Sequence, residues 1–252
     1  MVINMISNEK SPLQLAFEKN LKFLNKEELP ETFFGGLFTS SEAITPYVVG
    51  KTDFPTGRAV LADPLAYLGS KYETVLEQTV PTGSFPVEVS VLNSPVAGIR
   101  IAAARVIFSD KKAVNHKIAM PLGSSQGDLG KKGVFTFFGV DSGLACFADK
   151  AVSEEFIAFE REWIKDPEND NFYDDYFEPM FKESYTKLPN LQREEGDFIC
   201  WEIPNTGHTL IMFSSGLGDG AYSGYFGYDE NGEVTELAVP FMDPEYFIVK
   251  DK

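Results

Sequence analysis

The sequence predicts an α+β fold, mainly antiparallel β-sheet with a few flanking helices. Three observations carry this. Phe85, Val87, Val89 and Val91 alternate with other residues in SFPVEVSV, the period-two pattern of a half-buried strand. Similar runs fill both halves of the chain, punctuated by Gly, Pro and Asp turns rather than by regularly spaced helical segments. Helical patterning with start and stop signals is confined to a few stretches, the clearest near 12–26 and 153–165. With 252 residues, 43% of them hydrophobic, the chain can bury a sizeable core and reads as one domain, 1–252.

Taken in order, Leu13, Leu15, Phe17, Leu21, Phe23 and Leu24 recur at roughly helical spacing. Ser11-Pro12 supplies a start, with Pro in the first turn, and Pro30 a stop. A β-rich body, 33–149, follows. It opens with short β-like runs between turns (FFGGLFTSS, then ITPYVVGKTDFPTGRAVLADP) and has clear strands at 85–92, 98–108 and 134–140. Arg100 and Arg105 fall on opposite faces of their strand by parity. A helical insertion, 153–188, comes next. Ser153 caps a helix whose Phe156, Phe159 and Trp163 are spaced by three and four. The acidic, aromatic DPENDNFYDDY links it to a short helix over 176–188. The C-terminal β hairpins, 195–249, contain strands at 197–203, 208–214 and 221–239.

The most distinctive stretch is SSGLGDGAYSGYFGYDENGEV. Gly216, Gly218, Asp219 and Gly220 form a tight loop, and Tyr222 opens an aromatic run. At least one of these glycines is expected at positive φ, with the Asp219 carboxylate accepting local backbone N–H bonds. Asp229-Glu230-Asn231-Gly232 reads as a hairpin turn. It is not a calcium loop, because the twelfth position from Asp229 is Pro240 rather than an acid.

Five motifs stand in a fixed order: PTGRAVLADP (55–64), VPTGSFPVEVSV (80–91), the strand from Arg100 to Phe108, GVDSGLACFAD (139–149) and SGLGDGAYSGYFGYDENGEV (215–234). In this order they resemble a bacterial domain-of-unknown-function family, number 4241. The resemblance implies a bacterial cytosolic protein and no agreed activity. Similar Gly-Asp-Gly-Tyr loops occur in bacterial immunity and antitoxin-like proteins, a likeness by analogy.

The chain has 38 acidic against 22 basic residues, a formal charge of −16. This excludes binding to a nucleic-acid backbone, which needs a basic face. No apolar run reaches the length of a membrane span, and MVINMISNEKSPLQLAF lacks a signal-peptide pattern, so a cytoplasmic protein is expected. Cys146 and Cys200 sit in apolar contexts and read as two buried free thiols without zinc-ligand spacing. No cofactor is expected.

Two functions are compatible with these residues. The preferred one is a non-catalytic, acidic binding protein, an immunity- or antitoxin-like partner of a basic protein. Asp170, Asp174, Asp175 and Glu178 would supply charge, and Tyr173, Tyr176 and Phe177 would be contact anchors. The alternative is a metal-assisted hydrolase, with Asp141 and Asp219 as ligands, Asp63 joining them if the three carboxylates converge, and His208 as acid or base. Otherwise His116 and His208, the only histidines, read as hydrogen-bonded structural residues. A buried arginine must be paired, so Arg100 or Arg105 either binds Asp141 or Asp219 or holds an anion in a pocket.

Overall fold

The computed structural model describes residues 10–24, 26 and 28–248. Most of the N-terminal segment read for a signal, position 25 of the expected first helix and position 249 of the expected last hairpin lie outside the described residues.

Alternation along the strands builds two antiparallel sheets packed face to face. The larger has six strands in the order β1 (Ile44–Phe54), β4 (Gly83–Ser94), β5 (Gly98–Ile107), β13 (Val234–Pro240), β12 (Tyr225–Tyr228) and β6 (Asn115–Ile118). The smaller has five, ordered β3 (Thr74–Thr79), β2 (Arg58–Ala62), β8 (Leu144–Asp149), β10 (Thr209–Ser214) and β9 (Phe198–Glu202). A separate ribbon pairs β7 (Phe138–Val140) with β11 (Gly220–Tyr222).

Ala59, Leu61, Ala145, Phe147, Ile211 and Phe213 of the smaller sheet meet Val87, Val89, Ala104, Val106, Leu237 and Val239 of the larger in one core. The intervening residues Val60, Ala62, Leu144, Cys146, Ala148, Leu210 and Met212 join a second core on the opposite face. That face is covered by α3 (Lys150–Trp163) and α4 (Glu178–Lys187). The smaller sheet is therefore buried on both faces, which is why LACFAD and TLIMF read as continuous apolar runs.

Helices α1 (Pro12–Leu24), α2 (Glu31–Leu37) and α5 (Pro244–Phe247) are the remaining α-helices among the described residues. In α1 the buried residues are Ala16 and Asn20, whereas Leu13, Leu15, Phe17 and Leu21 are exposed. The helix docks through Ala16 in the core, through Phe23 against Phe33 and Tyr246, and through two polar bonds: Asn20 Nδ2 donates to the Phe241 carbonyl at 3.1 Å, and its Oδ1 accepts the Asp243 N–H at 2.6 Å.

Several boundaries differ from expectation. Residues 31–37 form α2, which overlaps the start of the span 33–149 read as β-rich. Phe34 and Leu37 lie one turn apart and are both buried, Phe34 against Ile118, Met120, Tyr225 and Ala238, and this docking outweighs the poor helix propensity of Gly35-Gly36. The strand expected at 134–140 is confined to Phe138–Val140. The region 221–239 divides into β11, β12 and β13. Helix α3 starts at Lys150, capped by Asp149, whose carboxylate accepts the Ala151 N–H. Ser153 lies inside the helix, and its hydroxyl donates to Glu73 instead. Cys146 is buried as expected, but Cys200 is exposed. The Asp229 turn forms as expected, with Asp229 accepting N–H bonds from Asn231 and Glu233 and Gly232 at φ 81°.

Candidate functional site

Two glycine turns meet at one end of the smaller sheet. The first joins β7 to β8 and contains Asp141, Ser142 and Gly143. The Asp63 carboxylate, fully buried after β2, holds it by accepting N–H bonds from Asp141 (2.9 Å) and Ser142 (2.6 Å) and the Ser142 hydroxyl (2.7 Å). Asp63 also accepts the N–H groups of Leu65 and Ala66. Its oxygens are thus committed to shaping the turn.

The second turn follows β10. Ser215 donates its N–H to the Gly143 carbonyl at 3.0 Å, which joins the two turns. The hydroxyls of Ser215 and Tyr222 both donate to the Gly218 carbonyl, at 2.9 and 2.7 Å. Gly216 and Gly218 have φ of 66° and 109°. At Gly216 an added Cβ would lie 2.8 Å from that of Phe241, so both conformation and space demand glycine. Asp219 does not perform the expected role. It is exposed, and no hydrogen bond reaches its carboxylate among the described residues. The Tyr222 hydroxyl ties the loop instead, because it can reach across to the carbonyls that the turn leaves unpaired.

Between these turns and the start of β5 lies a cavity of about 450 Å³. Arg193 lines it, with Nε and Nη2 donating to Asp197 Oδ1 at 2.9 and 2.6 Å and Nη2 also to Ser214 Oγ at 3.1 Å. Arg100 lines it too. Its Nη1 donates to the Ile99 carbonyl at 2.8 Å, while its buried Nε has no partner. Burial and the neighbouring Arg193 push the Arg100 pKa down. Neither expected partner, Asp141 or Asp219, binds an arginine; Arg105 instead bridges Glu88 (2.6 Å) and Glu236 (2.8 Å).

The metal-site residues are only partly assembled. The ribbon register Gly220↔Val140 carries Asp219 and Asp141 to adjoining strand ends. The Asp141 carboxylate accepts the Tyr67 hydroxyl, which raises the Tyr67 pKa. His208 lies elsewhere, just before β10, with Nδ1 2.7 Å from Glu155 of α3. Among the described residues no group of three or more His, Cys, Asp or Glu is placed to hold a metal ion.

The acidic, aromatic segment forms a π-helical turn, Phe172–Phe177, running into α4. Here the contact-anchor expectation needs correction. Phe177 is 0% exposed and packs edge-on against Trp201 at 5.0 Å. Tyr173 and Tyr176 are half-buried, Tyr176 against Phe159 and Trp201 and Tyr173 against Phe181. The rings are drawn inward because they cover the outer face of the smaller sheet. Asp170, Asp174 and Asp175 remain exposed, and Glu178 pairs with Lys182 at 2.9 Å. Asp175 accepts the N–H groups of Asn171 and Asp170, which lower its pKa.

Sequence reasoning missed a polar cluster on the outer face of the larger sheet. His116 Nε2 lies 2.9 Å from Glu236 and Nδ1 lies 2.7 Å from Glu31 of α2, with the Phe34 ring stacked on the imidazole. Burial alone would lower the His116 pKa, but the bonds to Glu236 and Glu31 outweigh it and raise it. It also missed Arg193, an isolated base in LQREEGD with no spacing signal.

The fold and site define a class: an antiparallel two-sheet α+β protein with a cavity built on paired glycine turns. The chain belongs to the family described as "Protein of unknown function (DUF4241)", whose model matches residues 52–239. No curated protein and no solved structure matches the chain. The matched span contains Arg100, Arg193 and both glycine turns, and it leaves α1, α2 and α5 outside.

Proposed function

We propose that this is a non-catalytic, acidic binding protein whose partner is a basic protein, in the manner of a bacterial immunity or antitoxin-like protein acting in the cytoplasm. One observation carries the reading. The π-helical turn sorts its residues, with Phe172, Tyr176 and Phe177 packed against the molecule and Asp174 and Asp175 turned outward beside the exposed Asp170 just before it. The result is an acidic face on a firmly packed base, in a chain of net charge −16. Such a face steers a cationic partner and needs little ordering on contact.

The test is capture of the partner from the native host, followed by association kinetics across a salt series. Replacing Asp170 and Asp174 with Lys slows association by roughly tenfold at low salt, and the difference shrinks as salt rises. An unchanged association rate overturns the reading. Metal-assisted hydrolysis at Asp141 and Asp219 is the second reading, favoured only by their adjoining positions. Calorimetric titration with Mn²⁺ tests it, since Asp141→Asn must abolish any binding seen.

A further inference from the structure

The cavity at the glycine turns holds an unbalanced charge. A guanidinium offers five donors in a planar fork. Arg105 and Arg193 each spend theirs on carboxylates. Arg100 has no carboxylate partner among the described residues, and its Nε is buried without any acceptor. A buried donor left unmade is costly, and such a group in a native protein calls for an explanation. The cavity supplies one, because Arg100 lines it and a ligand there can offer its guanidinium an acceptor.

The other charged groups narrow the ligand. Arg193 is neutralised by Asp197. Asp174 and Glu195 line the same cavity, and neither is in an ion pair among the described residues. A phosphate dianion would gain one guanidinium and face two carboxylates. A zwitterion satisfies both ends, and a second positive charge on its side chain would match the second acid. The walls formed by Gly143, Gly216 and Gly218 carry no side chains, which lets a ligand approach the backbone closely.

We propose that this cavity binds a small amino-carboxylate, a cationic α-amino acid in preference to a neutral one. Arg100 grips its carboxylate through paired N–H bonds, and Asp174 and Glu195 face its ammonium and side-chain cation. The size of the cavity, about 450 Å³, lies in the range of small-ligand sites. The site is separate from the acidic protein-binding face except at Asp174, which serves as a rim to both.

The test is calorimetric titration of the whole protein with L-arginine, agmatine, L-alanine and inorganic phosphate. L-arginine binds saturably at one site. Agmatine, which lacks the carboxylate, binds roughly tenfold or more weakly, L-alanine is intermediate, and phosphate does not compete. Arg100→Gln loses roughly tenfold or more in L-arginine affinity. Glu195→Gln narrows the preference for L-arginine over L-alanine. Because Arg100→Gln could impair folding, amide spectra of the wild-type protein provide an independent readout, in which L-arginine shifts Gly143, Gly216 and Gly218. Equal binding of L-arginine and agmatine would mean surface charge alone and would overturn the proposal. So would competition by phosphate, shifts confined to other residues, or no saturable binding.

Discussion

The Asp63 carboxylate accepts both the N–H and the hydroxyl of Ser142, 79 residues away, at 2.6 and 2.7 Å. One buried side chain thus fixes the turn that carries Gly143. Replacing Asp63 with Ala strands several N–H groups in the interior. A loss of about 3 kcal/mol is expected, read as a shift in the urea midpoint. A change near zero would mean that the turn is held by other bonds.

The Gly→Val series at the second turn should be graded. Gly216→Val meets both a positive φ and the wall formed by Phe241 and Met242, whereas Gly218→Val meets only a positive φ with open space around it. Gly216→Val should cost about 3 kcal/mol or more, and Gly218→Val about 1–2 kcal/mol. Chemical denaturation of the two variants checks the order.

The ring layer makes a contrasting pair of substitutions. Phe177→Ala empties a fully buried site beside Trp201 and should cost about 3–5 kcal/mol. Asp174→Lys, on the exposed side of the same turn, should leave the melting temperature unchanged. Equal effects would contradict the inward and outward sorting.

His116 makes stability depend on pH. Its folded pKa is raised above the unfolded value near 6.5, so its stabilising contribution is complete below that value and is lost as pH rises through the folded pKa. Glu236 acts in the opposite sense. Burial would raise its pKa, but bonds to His116 and Arg105 outweigh this and lower it, so its contribution fades as pH falls below the usual glutamate value near 4.5. Melting curves should therefore peak between these limits. His116→Gln should flatten the alkaline limb and leave the acid limb in place, because Arg105 still pairs with Glu236.

The antiparallel architecture was legible because period-two patterning reports burial directly, as at Val87 to Val91. The glycine demand at 216 and 218 was legible for a similar reason, since few other residues tolerate such turns. Helix α2 was hidden because Gly35-Gly36 mimics a loop and only tertiary docking of Phe34 and Leu37 reveals the helix. The apolar spacing of α1 revealed the helix but not its docking, since Leu13, Leu15, Phe17 and Leu21 are exposed while Ala16 joins the core and Asn20 bonds to Phe241 and Asp243. The parity argument for Arg100 and Arg105 met a bulge: the register passes from Ser90↔Ala103 to Val91↔Ile101, and the extra residue Ala102 interrupts the alternation. The meeting of Arg100 with Arg193 depends on long-range topology that no local pattern encodes.

Strand β13 has a consequence for the order in which the protein can be made. It lies between β5 and β12, so until residue 240 leaves the ribosome the β1–β4–β5 group has an unpaired edge, and the β6–β12 pair has no sheet to join. The Asn20 side chain waits longer still, for the backbone of Phe241 and Asp243. Phe241, with its neighbour Met242, also backs the Gly216 wall of the cavity. The nascent chain must therefore keep an open sheet edge from pairing with its neighbours from the emergence of β5 until that of β13, and the cavity wall is complete only once Phe241 and Met242 follow.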